Sequence, residues 1–92
     1  MNLVVEFLGL SRALSHSRES LVTLPDQATC RDALAVVASR FPALVGPVLE
    51  PETFALAPAF MLNVDGRRMV RDLDAPVVDG QRLIIMFVEA GG

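Results

Sequence analysis

Residues 83–88, Leu-Ile-Ile-Met-Phe-Val, are apolar at every position. Successive side chains of an extended strand point to opposite faces, so Leu83, Ile85 and Phe87 share one face and Ile84, Met86 and Val88 the other. Such a strand needs cover on both sides, or it presents one side as an apolar surface. A chain of 92 residues can build one core and one covering layer, not two. The expectation is a single sheet with a helix on one face. The second face is then either shielded by a loop or left open to a partner, and Met61 and Met86 suit an open surface because flexible thioethers adapt to an opposing contour. Leu3-Val4-Val5-Glu6-Phe7-Leu8, near the start of the chain, is another nearly unbroken apolar run and predicts a central strand.

Between these two runs the chain reads in short pieces. Gly9 breaks the first strand, and residues 10–19 read as a polar, Ser-rich connection. His16 lies in it with no neighbouring ligand and reads as an exposed imidazole. Ser11, Ser15, Ser17 and Ser20 lack the Gly-flanked elbow of a nucleophile. Ser20-Leu21-Val22-Thr23-Leu24 predicts a second strand, antiparallel to the first and ended by Pro25-Asp26. Thr29 then stands as a helix N-cap with Asp32 three residues on. Cys30, Leu34, Val37, Ala38 and Phe41 form one helical stripe, and Pro42 closes it. On that stripe Cys30 reads as a small buried apolar residue rather than a reactive thiol. Residues 43–58 carry Pro47, Pro51 and Pro58 and read as a wrapping connection, with a helical turn near residues 45–50. Ala59-Phe60-Met61-Leu62-Asn63-Val64 resumes strand character. Asp65-Gly66 predicts a type I′ hairpin turn returning through Arg67-Arg68-Met69-Val70. Arg67, Arg68 and Arg71 form a basic cluster, read as a solvated hairpin ahead of a dock for an acidic partner. Asp79-Gly80 is a second tight turn, launching the last strand at Arg82.

Composition narrows the class of protein. About half of the residues are apolar, at 52%, so the chain folds rather than remaining disordered. A net charge of −3 disfavours a nucleic-acid partner. Cys30 is the single cysteine, so no internal disulfide or cysteine-based metal site is expected, which fits a reducing compartment. No cationic leader precedes the first strand, and no apolar run approaches the ~20 residues of a membrane span. The expectation is one soluble, cytoplasmic domain over residues 1–92, with no membrane partner and no bound metal. All eight cations are Arg, which removes side-chain amines on which a modifier chain would be built. The chain ends Glu89-Ala90-Gly91-Gly92. A terminal Gly pair is either a frayed end or a slim one, able to thread a carboxylate through a narrow channel into another protein's active site.

The order strand, strand, helix, strand, hairpin strand, last strand matches the β-grasp (ubiquitin-like) arrangement. The chain resembles the small sulfur-carrier proteins of the MoaD/ThiS family. The resemblance spans Phe7-Leu8-Gly9-Leu10-Ser11-Arg12, Ala28-Thr29-Cys30-Arg31-Asp32-Ala33-Leu34 and Arg40-Phe41-Pro42-Ala43-Leu44. It continues through Leu62-Asn63-Val64-Asp65-Gly66 and Val78-Asp79-Gly80-Gln81-Arg82-Leu83 to Ala90-Gly91-Gly92. It implies an α+β fold, with a mixed sheet of four to five strands and one main helix on one face. It also implies that the Gly92 carboxylate is the reactive group. An E1-like enzyme would adenylate it with ATP and Mg²⁺, and a sulfur donor would convert it to a thiocarboxylate. A sulfur-accepting synthase subunit of the MoaE type would take the sulfur, and the carrier itself holds no cofactor. Ala90 and Gly91 would fit the channel, while Met61, Ile84, Met86 and Val88 would meet the partner. Two positions depart from molybdopterin-synthase small subunits: Phe87-Val88-Glu89 stands where a Pro pair is common, and Gln81 where Asp is. Molybdopterin synthesis is the leading use. Carriers for thiamine, cysteine, tRNA thiolation or a specialised metabolite stand beside it, as do a ubiquitin-like modifier forming isopeptide bonds through Gly92 and a β-grasp module with an inert tail.

Overall fold

In a computed structural model, residues 1–88 are described; Glu89, Ala90, Gly91 and Gly92 lie outside the described part. The strands are β1 (Asn2–Phe7), β2 (Glu19–Thr23), β3 (Phe60–Val64), β4 (Arg68–Val70) and β5 (Arg82–Phe87). The helices are α1 (Leu10–Ser15) and α2 (Cys30–Arg40), followed by a 3₁₀ turn, Pro42–Leu44. The five strands form one sheet in the order β2-β1-β5-β3-β4. β1 and β5 run parallel at its centre, and every other neighbour is antiparallel. The two apolar runs from opposite ends of the sequence therefore lie side by side, Val5 opposite Leu83 and Phe7 opposite Ile85. A parallel pair needs a long crossover, and it is supplied here by everything between β1 and β5, α2 included. This is the β-grasp arrangement expected from the element order.

One face of the sheet and α2 enclose the core. Leu3, Val5 and Phe7 of β1, Val22 of β2, Leu62 of β3 and Leu83 and Ile85 of β5 are buried with Leu34 and Val37 of α2. Burying each such side chain contributes about 1.5–3 kcal/mol. α2 starts where the sequence places it. The Asp32 N–H donates to Thr29 Oγ1 at 3.2 Å, and the Thr29 N–H donates to Asp32 Oδ2 at 2.8 Å, a reciprocal capping box. Cys30, Leu34, Val37 and Ala38 of the predicted stripe are buried, joined by Ala33, with Phe41 half-buried against the core. The hairpin turn also matches expectation, with φ positive at both Asp65 (57°) and Gly66 (71°).

Two segments differ from the sequence reading. Residues 10–15, expected within a polar loop, form α1, and Ser11 and Ser15 are buried. Their hydroxyls donate to backbone carbonyls, Ser11 Oγ to Leu8 at 2.7 Å and Ser15 Oγ to Ser17 at 3.2 Å, so burial leaves neither hydroxyl unpaired. Serine is common in loops because it makes such local bonds, and here those bonds tie a helix to the end of β1. His16, exposed as expected, closes α1 in the left-handed conformation with φ 55°. The second difference lies in residues 43–58. The regular turn is Pro42–Leu44, just before the expected one, and Pro42 fits the first helical position because its missing N–H is not needed there. Leu44, Val48 and Leu49 join the core cluster, and the turn packs against α1 and α2. The connection thus adds to the helix side of the sheet and leaves the opposite face open.

Candidate docking face and tail root

On the open face, strand alternation and register place Leu21, Val4 and Arg82 in one row, Glu19, Glu6, Ile84, Asn63 and Met69 in the next, and Met86 beside Met61 in a third. Four residues were predicted to form the partner surface. Three of them, Met61, Ile84 and Met86, are half-buried strand positions on this face, and Val88 follows β5 and is 49% exposed. Met61, Met86 and Val88 come together at the sheet end where β5 finishes, and Ile84 lies one row away. Gly92, Gly91 and Ala90 lie outside the described residues.

The face is not wholly apolar. Arg82 Nη1 donates to Glu6 Oε1 and Glu19 Oε2, both at 2.8 Å, so one guanidinium bridges two carboxylates across β5, β1 and β2. Hydrogen bonding to Glu19, then to Glu6, raises the Arg82 pKa above its usual value. The group carries net charge −1 beside the apolar rows. Glu6, the one polar residue in the first apolar run, is thus the signal in the sequence that this face meets water. Asn63 Oδ1, between Ile84 and Met69, is buried with no hydrogen-bond partner among the described residues.

The face passes at one edge into a groove of about 360 Å³, lined by Leu56, Phe60, Met61, Met69, Arg71 and Val88 among others. It opens where β4 stops, since β4 pairs with Leu62, Asn63 and Val64 and leaves Phe60 and Met61 uncovered. Val88 is held there by its N–H, which donates to the Ala59 carbonyl at 2.9 Å. Phe87 stacks on Phe60 with ring centroids 4.8 Å apart and planes 24° from parallel. Four residues of the chain follow Val88, a reach of ~13 Å when extended. Arg67, Arg68 and Arg71 are exposed and make no ion pair among the described residues.

The architecture has solved counterparts. SAMP1, the small archaeal modifier protein of Haloferax volcanii, superposes with a TM-score of 0.84 at 21% identity, covering 100% of both chains. A chain of the BexX/CysO complex of Amycolatopsis orientalis matches with a TM-score of 0.71 at 23% identity, over 98% of this chain and 99% of that one. A chain of the complex of subunits 1 and 2 of the molybdopterin-converting factor from Helicobacter pylori matches with a TM-score of 0.60 at 15% identity, over 100% of each. This chain has the ubiquitin-like β-grasp fold. At these identities the likeness is one of fold. No family model and no curated protein matches the sequence.

Within the β-grasp domain, two contributors to the open face and one contact at the end of β5 escaped the sequence reading. Leu21 is 71% exposed and extends the apolar surface onto the edge strand β2. Its alternation with buried Ser20 and Val22 was the available signal. Met69 widens the face on β4, again as the outward member of an alternating strand. The contact between Gly9 and Phe87 left no signal, because a close approach between residues 78 positions apart has no local periodicity.

Proposed function

We propose that this β-grasp domain is a sulfur carrier whose Gly92 carboxylate is activated by a separate E1-like enzyme and converted to a thiocarboxylate. The observation that carries this reading is where the described chain leaves the sheet. Val88 follows directly on the central strand β5, at the border of the open face, with its N–H bonded to the Ala59 carbonyl, and four residues of sequence, ending in Gly92, come after it. A free carboxylate is ionised at neutral pH, with an unperturbed pKa of ~3.5, and is a poor acyl donor. Adenylation with MgATP releases pyrophosphate and gives a mixed anhydride. Attack by a sulfur donor then expels AMP and leaves the C–S bond. None of these steps asks the carrier for an acid or a base. Its share is recognition through Met61, Ile84, Met86 and Val88, and delivery of Gly92 through the slim Ala90-Gly91 segment. Molybdopterin synthesis is the use we favour, consistent with a subunit of a molybdopterin-converting factor sharing the fold. The acceptor would be a synthase subunit in the cytoplasm.

A second reading is an isopeptide-forming modifier working through the same carboxylate, favoured by the close superposition on a small archaeal modifier protein. Incubation with the activating enzyme, ATP and sulfide separates the two. The carrier gains about 16 Da as sulfur replaces oxygen at the terminal acyl group. A chain that keeps its mass and instead becomes linked through Gly92 to protein lysines is a modifier. Deleting Gly92 abolishes either product and leaves thermal unfolding unchanged within error; a large loss of stability would give the end a structural role instead.

A further inference from the structure

We propose that Phe87, gripped between Gly9 and Phe60, is a positioning residue that fixes the root of the reactive tail. This inference rests on the carrier reading above. Phe87 is the last residue of β5, yet 47% of it is exposed, so burial alone does not hold the ring. Two contacts do. Phe60 stacks on it at 4.8 Å. On the other side, Gly9, the N-cap of α1, approaches so closely that a Cβ there would lie 2.6 Å from Phe87 Cε2 and 2.9 Å from Cδ2. Gly9 also has φ 58° and ψ −131°, a conformation that only glycine adopts without strain. The chain places a residue without a side chain, in a glycine-only conformation, directly on an exposed ring. It does so one residue before Val88, whose N–H to Ala59 is the last bond described before the tail.

The chemical use follows from reach. Acyl activation requires the terminal carboxylate to come within about 3–3.5 Å of the attacked phosphorus, and misplacement by ~1 Å costs on the order of a hundredfold in rate. Four residues beyond Val88 multiply any swing at the root. A ring gripped by Gly9, at the start of α1, and by Phe60 of β3 fixes the point at which the chain leaves β5, at Val88. The grip serves positioning rather than affinity, so it affects turnover and leaves partner binding alone.

The test compares wild type, Phe87→Ala, Phe87→Tyr and Phe60→Leu as full chains, each confirmed folded by thermal unfolding. Acyl-adenylate formation with the activating enzyme is followed by pyrophosphate exchange, and exchange of the Val88 amide hydrogen by NMR. Phe87→Ala lowers kcat on the order of tenfold or more with KM within about twofold, and Phe87→Tyr, which keeps the ring, restores it. Phe60→Leu, which removes the stacking partner, also lowers kcat. The Val88 amide exchanges about tenfold faster in Phe87→Ala while the Leu62 amide is unaffected. Unchanged kcat, a rise in KM alone, or unchanged Val88 exchange overturns the proposal; the KM result would make Phe87 a direct partner contact. A wild-type chain that forms no adenylate overturns the carrier reading, and with it the positioning role. An active wild type beside an equally active Phe87→Ala overturns the positioning role only.

Discussion

Cys30 carries a pH signature that the rest of this composition leaves uncluttered. It is 3% exposed, and burial pushes its thiol pKa up, with the Arg68 charge pulling the other way and Asp72 adding to the rise. In the unfolded chain the thiol ionises near about 8.5. Above that pH the unfolded state has lost a proton that the folded state still holds, so stability falls as pH rises. The chain has no Lys and no Tyr, so no other side chain loses a proton between about pH 8.5 and pH 11. Urea midpoints are expected to hold through neutral pH and decline from about pH 8.5 upward, with the decline absent in Cys30→Ala. A Cys30→Ala chain with the same decline would show that the thiol is not its source. The same burial makes the thiol slow to alkylate in the native protein. Among exposed groups, Asp74 has its pKa lowered by its hydrogen bond from Arg31 Nε at 2.9 Å. That contribution is present above the usual carboxylate pKa and lost as the pH falls through the lowered one. It is screened by salt, because both groups face water.

At the scale of elements, β5 divides its two faces between two tasks. Leu83 and Ile85 are fully buried and hold the domain together, while Ile84 and Met86 are half-buried on the open side. Charged residues on the open side should therefore spare the fold and harm docking. Ile84→Glu and Met86→Glu are expected to retain the wild-type circular dichroism and to weaken binding to the activating enzyme by about tenfold or more, the size of a central interface residue. Ser39→Glu, on the exposed part of α2, serves as the control and should change affinity by less than about twofold. Equal affinities for all three variants would place the docking surface elsewhere. One edge of the sheet is also managed. Arg40 of α2 donates to the Leu21 carbonyl and, at 2.9 Å, to Ser20 Oγ, occupying part of the β2 edge that would otherwise pair with another chain.

For the whole molecule, one cluster of buried side chains runs from β1 through α2 and the 43–58 connection to β5. Unfolding should then be a single cooperative transition. Leu44→Ala in the connection and Ile85→Ala in the central strand should each cost about 2–5 kcal/mol in chemical denaturation, both residues being fully buried. A cost below about 1 kcal/mol for Leu44→Ala would make the connection a separate, weaker unit. How much of this was legible beforehand follows from the range of each signal. The central strands, the Thr29 cap, the α2 stripe and the Asp65-Gly66 turn were readable because each depends on residues within a few positions of one another. Their order matched one known arrangement. α1 was not readable, because its buried serines are satisfied by carbonyls of a neighbouring turn that composition does not reveal. Nor was the side on which residues 43–58 pack, since irregular chain carries no periodicity to assign a face. By itself, then, the sequence determined the strands, α2, the hairpin turn and the double-faced character of β1 and β5. Tertiary structure alone decided which face stayed open, how Arg82 came to bridge Glu6 and Glu19, and that Gly9 would meet Phe87. Those outcomes depend on distances between residues far apart in the chain, and no local spacing encodes them.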